Sequence, residues 1–103
     1  MKNSSSFIVE RQVRPIHPGE VIADLLEDLE MTTIDFAKKL DVSPDIVKAI
    51  IQGRLPVTVD MAIRLGKALG NGPQLWLNLQ QKVDIWDTMQ EKAADYNKVC
   101  SVN

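Results

Sequence analysis

Residues 32–58 read TTIDFAKKLDVSPDIVKAIIQGRLPVT, and the order of residue types in this stretch decides the fold. Thr32 or Thr33 can open a helix, because a threonine hydroxyl accepts a hydrogen bond from an unpaired first-turn amide. Phe36, Ala37 and Leu40 follow at helical spacing as its buried side. Asp41 falls where the chain must turn sharply, and aspartate tolerates left-handed backbone better than most residues. Ser43-Pro44 starts a second helix, with a capping hydroxyl followed by a residue that has no amide to leave unpaired. Asp45 adds a favourable charge at the positive end of the helix dipole. Ile46, Val47, Ile50 and Ile51 supply the apolar stripe, and Gly53 is the expected left-handed stop. Two short helices joined by a tight turn form a helix-turn-helix, whose second helix can enter the major groove of DNA.

The same helical period extends outward on both sides. Before the motif, a helix from about Pro18 to Leu29 carries Val21, Ile22, Leu25, Leu26 and Leu29 on one face, with its acids on the other. After it, Thr58 caps a helix running to Leu69, with Met61, Ala62, Leu65, Ala68 and Leu69 inward. Gly70-Asn71-Gly72-Pro73 breaks the chain, and a fifth helix starts near Pro73 and continues past Met89. No alternating pattern longer than Ser6–Val9 suggests a strand. The expected class is all-α: a five-helix, phage-repressor-like domain over residues 15–92, an N-terminal arm over 1–14 and a C-terminal tail over 93–103.

A chain of 103 residues with 45% apolar content fits one hydrophobic core. No apolar run approaches the roughly 20 residues of a membrane span, and MKNSSSFIVERQ lacks the apolar block of a signal peptide. Cys100 has no partner for an internal disulfide, so a cytoplasmic protein is the simplest reading. The net charge of −2 speaks mildly against nucleic acid until it is divided along the chain. Glu20, Asp24, Glu27, Asp28 and Glu30 crowd residues 18–30 with no base, whereas residues 31–55 and 56–70 are each +1. The field at the groove-facing surface therefore differs from the whole-chain value, which itself predicts weak non-specific affinity.

Geometry nominates the DNA-contacting residues. The first turn of the second motif helix and the side chains one turn later should face the groove: Ser43, Pro44, Asp45, Lys48, Ala49 and Gln52. Ser43 and the helix amides can bind phosphate. Lys48 can reach a guanine or a phosphate, and Gln52 an adenine or the backbone. Asp45 accepts only from a donor such as a cytosine amino group and repels phosphate. Lys38, Lys39 and Arg54 flank the helix where phosphates should run. The competing reading makes Pro44 and Asp45 plain helix-start residues and Lys48 a solvated charge.

Catalysis finds no support. His17 stands without cysteine or carboxylate at metal-ligand spacing, and between two prolines at a helix start it reads as a structural hydrogen-bonding residue. Ser43 and Ser101 have no base in sequence, and no phosphate-cradling glycine loop or cofactor motif is present. In the fifth helix Trp76, Leu79, Val83 and Trp86 form a narrow coiled-coil-like stripe, widened by Leu75, Ile85 and Met89. This stripe is the expected self-association surface. The alternative for Trp76 and Leu79 is that they cover the domain's own core.

Three segments carry a family resemblance: RPIHPGEVIADLLEDLEMT (14–32), TIDFAKKLDVSPDIVKAIIQGR (33–54) and VTVDMAIRLGKALGNGPQLWLNLQ (57–80). Together they closely resemble the HigA (VapI-like) antitoxins of bacteria, within the helix-turn-helix family typified by phage repressor and Cro proteins. The HPGE element at His17–Glu20 and the LWLNLQ element at Leu75–Gln80 are more specific than the helix-turn-helix itself. The resemblance implies a homodimer that neutralises a HigB toxin, a ribosome-dependent messenger-RNA endonuclease, and represses its own operon. It also implies a phosphate contact at Thr33, where the family usually has glutamine. At Pro44 and Asp45 the family more often has polar or basic residues, and at Ala49 frequently arginine. Gln52-Gly53-Arg54 stands where NGK or NGR is common.

Two functional classes follow. In one, the protein is a dimeric antitoxin-repressor using Ser43, Lys48, Gln52 and Arg54 on its own double-stranded operator, or a stand-alone repressor. In the other, it is a module that masks a toxin, with DNA binding weak or lost. The acids of the first helix are either a solvated face or a surface for a basic toxin, because an RNA-cutting toxin carries positive charge to hold its substrate. Arg11 and Arg14, near Phe7-Ile8-Val9, offer the N-terminal arm as a segment that orders on toxin or DNA.

Overall fold

The computed structural model describes residues 13–102. Six helices follow one another: α1 (Pro18–Leu29), α2 (Thr33–Leu40), α3 (Pro44–Ile51), α4 (Val59–Leu69), α5 (Gln74–Glu91) and α6 (Ala93–Tyr96). No strand occurs among the described residues. The five helices expected from periodicity are all present, and α6 is a single added turn within the segment read as a tail. Residues 1–12, which hold most of the N-terminal arm with Phe7-Ile8-Val9 and Arg11, lie outside the described residues.

Side-chain caps set the helix starts. Thr32, not Thr33, caps α2 by accepting from the Asp35 amide at 3.0 Å, and Thr58 caps α4 by accepting from Met61 at 3.2 Å. The stops are left-handed residues: Glu30 after α1, Asp41 after α2 and Gly70 after α4. Two of these are not glycine, and each gives its amide to carbonyls of the turn it closes.

Helices α1 to α4 and the first half of α5 enclose one core built on Ile22, Leu26, Phe36, Ala37, Leu40, Val47, Ile50, Val57, Met61, Ala62, Leu65 and Trp76. Three residues expected inward lie outside it. Leu29 is half-exposed at the end of α1, where the chain turns away, and Ile46 is exposed on α3. Ala68 is exposed on α4, while Gly66 takes the buried position against the backbone of Gly72. The buried arc of α4 runs through Met61, Ala62, Leu65 and Gly66, and Ala68 falls beyond its edge.

Candidate nucleic-acid interface

Helices α2 and α3 and the turn between them form the helix-turn-helix. Asp41 sits at φ 57°, its amide bonded to the carbonyls of Ala37 and Lys38. From α4, the Arg64 guanidinium donates to the carbonyls of Leu40 at 2.9 Å and Asp41 at 3.1 Å. Asp60, one helical turn before it, accepts from Arg64 Nε at 2.9 Å and holds it in place. Carbonyls that α2 leaves unpaired at its C-terminus are thereby satisfied. The turn is fixed by a neighbouring helix, and Arg64 is spent on it rather than offered outward.

Helix α3 divides cleanly into two sides. Val47 and Ile50 are buried, while Pro44, Asp45, Ile46 and Lys48 are exposed. Ala49 does not lie on the outer face as its position suggested: it is 5% exposed, and its carbonyl accepts from the amides of Arg54 at 2.8 Å and Leu55 at 3.2 Å. The chain leaving α3 folds back over it. Ile46, read as part of the inner stripe, is 40% exposed instead and follows the exposed Pro44 and Asp45 in the first turn of α3. Its exposure depends on how α3 is rotated against α1 and α2, which helical spacing alone does not set.

The amides at the start of α3 are also not available as expected. Pro44 has none, the Asp45 amide goes to Ser43 Oγ at 3.2 Å, and that of Ile46 goes to the Ser43 carbonyl at 3.1 Å. The first turn therefore pairs its own donors, and phosphate contact here falls to side chains. Ser43 retains its hydroxyl proton, since its oxygen acts as the acceptor. Lys38, Lys39 and Lys48 are exposed and in no ion pair with a described residue. At the far end, Arg54 Nε donates to Gln52 Oε1 at 2.9 Å, presenting both side chains as one unit beyond Gly53. The terminal nitrogens of Arg54 and the amide nitrogen of Gln52 donate to no described residue. Thr33 is half-buried at the first position of α2.

This frame matches known proteins. Antitoxin HigA-1 of Vibrio cholerae is 40% identical over 76 residues, covering 73% of this chain and 71% of that protein. The chain belongs to the HigA family of helix-turn-helix antitoxins. The crystal structure of a putative antidote protein of a plasmid maintenance system from Nostoc punctiforme is 57% identical, with a TM-score of 0.78 over 88% of this chain and 100% of that one. The structure of Pseudomonas aeruginosa antitoxin HigA with the higBA promoter is 29% identical, with a TM-score of 0.82 over 87% of this chain and 100% of that one. No family model matches the chain.

Within this HigA-type chain, the HPGE element is the seat on which the motif rests. His17 caps α1: its Nδ1 accepts from the Gly19 amide at 2.9 Å, and Glu20 accepts from the His17 amide at 3.1 Å. Burial, followed by the nearby Arg14 charge, pushes the imidazole pKa below its ordinary value. The ring is therefore held neutral with its proton on Nε2. A Cβ on Gly19 would lie 2.0 Å from the Ile50 carbonyl oxygen and 3.0 Å from Ile51 Cα. Only glycine lets the start of α1 press against the end of α3.

The LWLNLQ element belongs to the core. Trp76 is 0% exposed, with Nε1 donating to Asn71 Oδ1 at 3.2 Å, and Val83 is buried too. Neither is available to a second subunit, which corrects their place in the expected self-association stripe. Leu79 is partly buried against the same core. Trp86 is half-buried, while Ile85 and Met89 are more than half exposed. Beside them Asp87 receives a two-pronged bond from Arg14, at 2.8 and 2.7 Å, which anchors the end of the N-terminal arm to α5. That hydrogen bonding holds the Asp87 carboxyl below its ordinary range. Among the described residues no cluster of His, Cys, Asp and Glu could hold a metal ion, and no helix is long and apolar enough to cross a membrane.

Proposed function

We propose that the protein is the antitoxin of a HigBA-type pair, binding its own operator as a dimer and neutralising the toxin by direct contact. The observation that carries the DNA reading is the outer side of α3, where Ile46, Lys48 and the Gln52–Arg54 unit project from a helix whose turn is held by Arg64. Lys48 and Arg54 then meet phosphate or guanine, Gln52 reads adenine or holds the backbone, and Ile46 packs on thymine methyl groups. Ser43, Lys38 and Thr33 border this surface toward the backbone. The promoter complex of the Pseudomonas aeruginosa relative supports the same use of the frame. The chemistry is binding alone, in the cytoplasm, with no enzymatic step.

A salt-titrated shift assay on the DNA upstream of the gene tests this. Binding should be tighter than to random DNA and should weaken steeply with salt, because phosphate contacts displace counterions. Equal affinity for both fragments removes the repressor assignment.

A dimer suits groove reading, since two recognition helices must lie about one DNA turn apart, and the exposed Ile85 and Met89 with the half-buried Trp86 on the distal half of α5 support pairing there. For the toxin, the reading is the α1 face that carries Asp24, Glu27, Asp28 and Glu30. Next to it a groove is lined by Ala23, Leu26, Met31 and Ile51. Toxin affinity unchanged by charge reversal at Glu27, Asp28 and Glu30, at both low and high salt, rejects that surface. The absence of unpaired amides at the start of α3, together with the Asp45 charge, favours a second reading in which DNA binding is weak and toxin masking is the main task.

A further inference from the structure

We propose that Gln80 is a positioning residue for the DNA interface, setting the place of Arg54 through the backbone of the loop between α3 and α4. The inference rests on the DNA-binding reading above. Gln80 lies on α5, is 7% exposed, and uses both ends of its amide. Its Oε1 accepts from the Val57 amide at 2.8 Å, and its Nε2 donates to Asp84 Oδ1 at 2.9 Å. A carboxylate only accepts and a backbone amide only donates, so this pair of partners fixes which way the Gln80 amide faces.

Apart from the Val57 side chain, which is buried in the core, the loop is held by few backbone bonds. Arg54 and Leu55 give their amides to the Ala49 carbonyl, Pro56 has no amide, and Val57 gives its amide to Gln80. Residues 54–56 thus form an exposed span held at Ala49 on one side and at Gln80 on the other. Arg54, the base at the end of the recognition helix, sits within that span. Without the Gln80 oxygen, the buried Val57 amide has no acceptor, and a buried unpaired donor is costly enough to force a rearrangement. With its side chain still held in the core, the Val57 backbone must shift to find another acceptor, and the adjustment falls on the exposed residues 54–56, Arg54 among them. Asp84, one turn further along α5, keeps Gln80 in register.

The test measures affinity and its salt dependence on the upstream fragment for the wild type, Q80L, R54A, the Q80L/R54A double variant, Q80E and Q80E/D84N. Q80L should weaken binding roughly tenfold and flatten the plot of log affinity against log salt by about one per subunit, as R54A does. In the R54A background Q80L should add little. Q80E retains an acceptor for Val57 but faces the Asp84 carboxylate, so it should also lose affinity. Q80E/D84N restores a donor–acceptor pair and should recover both affinity and slope. If Q80L does not fold, the comparison of Q80E with Q80E/D84N decides. A wild-type slope in Q80L, losses that add fully with R54A, or no recovery in Q80E/D84N overturns the inference while leaving operator binding intact. Wild-type protein that binds the fragment no better than random DNA removes both.

Discussion

His17 makes the start of α1 depend on the protonation state of one side chain. Its Nδ1 must be unprotonated to accept from Gly19, and burial favours that neutral form. The unfolded chain, with an ordinary imidazole pKa of about 6.5, takes up the proton more readily than the folded one. This contribution to stability is complete above that value and is lost as pH falls through the lower folded value. Wild-type protein should therefore lose stability to urea between pH 7.5 and 5.5. His17→Asn, which keeps a capping acceptor without titrating there, should lose clearly less. Identical pH profiles would reject the role. Two residues on, Gly19→Ala should cost about 3 kcal/mol, because the added carbon meets the backbone of Ile50 rather than a movable side chain. An unshifted urea midpoint would contradict that contact.

At the scale of elements, the proposed DNA surface of α3 sets a charge beside an apolar group. Lys48 is a solvated point charge and Ile46 an apolar group on the same exposed side. Lys48→Ala should lower affinity for operator and random DNA alike and reduce the salt slope by about one per subunit. Ile46→Ala should leave the slope unchanged and narrow the gap between operator and random DNA, since a thymine contact carries sequence information but no charge. Shift assays at two salt concentrations distinguish the two, and a slope change in Ile46→Ala would argue against methyl contact. These elements were legible to different degrees. Caps at Ser43 and Thr58 and the stop at Gly53 could be read from sequence because each acts within a few residues. The exchange of Ile46 and Ala49 between faces could not, because it depends on the returning loop that covers Ala49 and on the rotation of α3 in its socket. Likewise Trp76 and Val83 lie on a stripe that suits a partner helix equally well. Packing of α4 and α1 on α5 makes them core, and spacing within α5 contains nothing about that packing. The roles of Gln80 and Arg64 leave no local signal in the sequence, because their partners lie 23 and 24 residues away along the chain.

For the whole molecule, α5 has two halves with separate tasks. The first closes the core through Trp76 and pins the recognition loop through Gln80; the second leaves Ile85 and Met89 exposed beyond Val83. In the proposed dimer, a subunit bound there is joined through the same helix to the corner that carries Arg54, and the orientation of the two α3 helices on DNA would follow from how the α5 helices pair. Disrupting that pairing should leave the domain folded, since neither exposed residue belongs to its core. Met89→Asp, alone or with Ile85→Asp, should therefore shift sedimentation from dimer to monomer with little change in the thermal midpoint. Operator affinity should fall far more than affinity for random DNA, because linked half-sites gain from a high effective concentration that single subunits lack. A variant that remains dimeric in sedimentation would move the subunit contact away from α5. One that becomes monomeric yet binds the operator as tightly as wild type would show that the DNA, rather than this helix, brings the two recognition helices together.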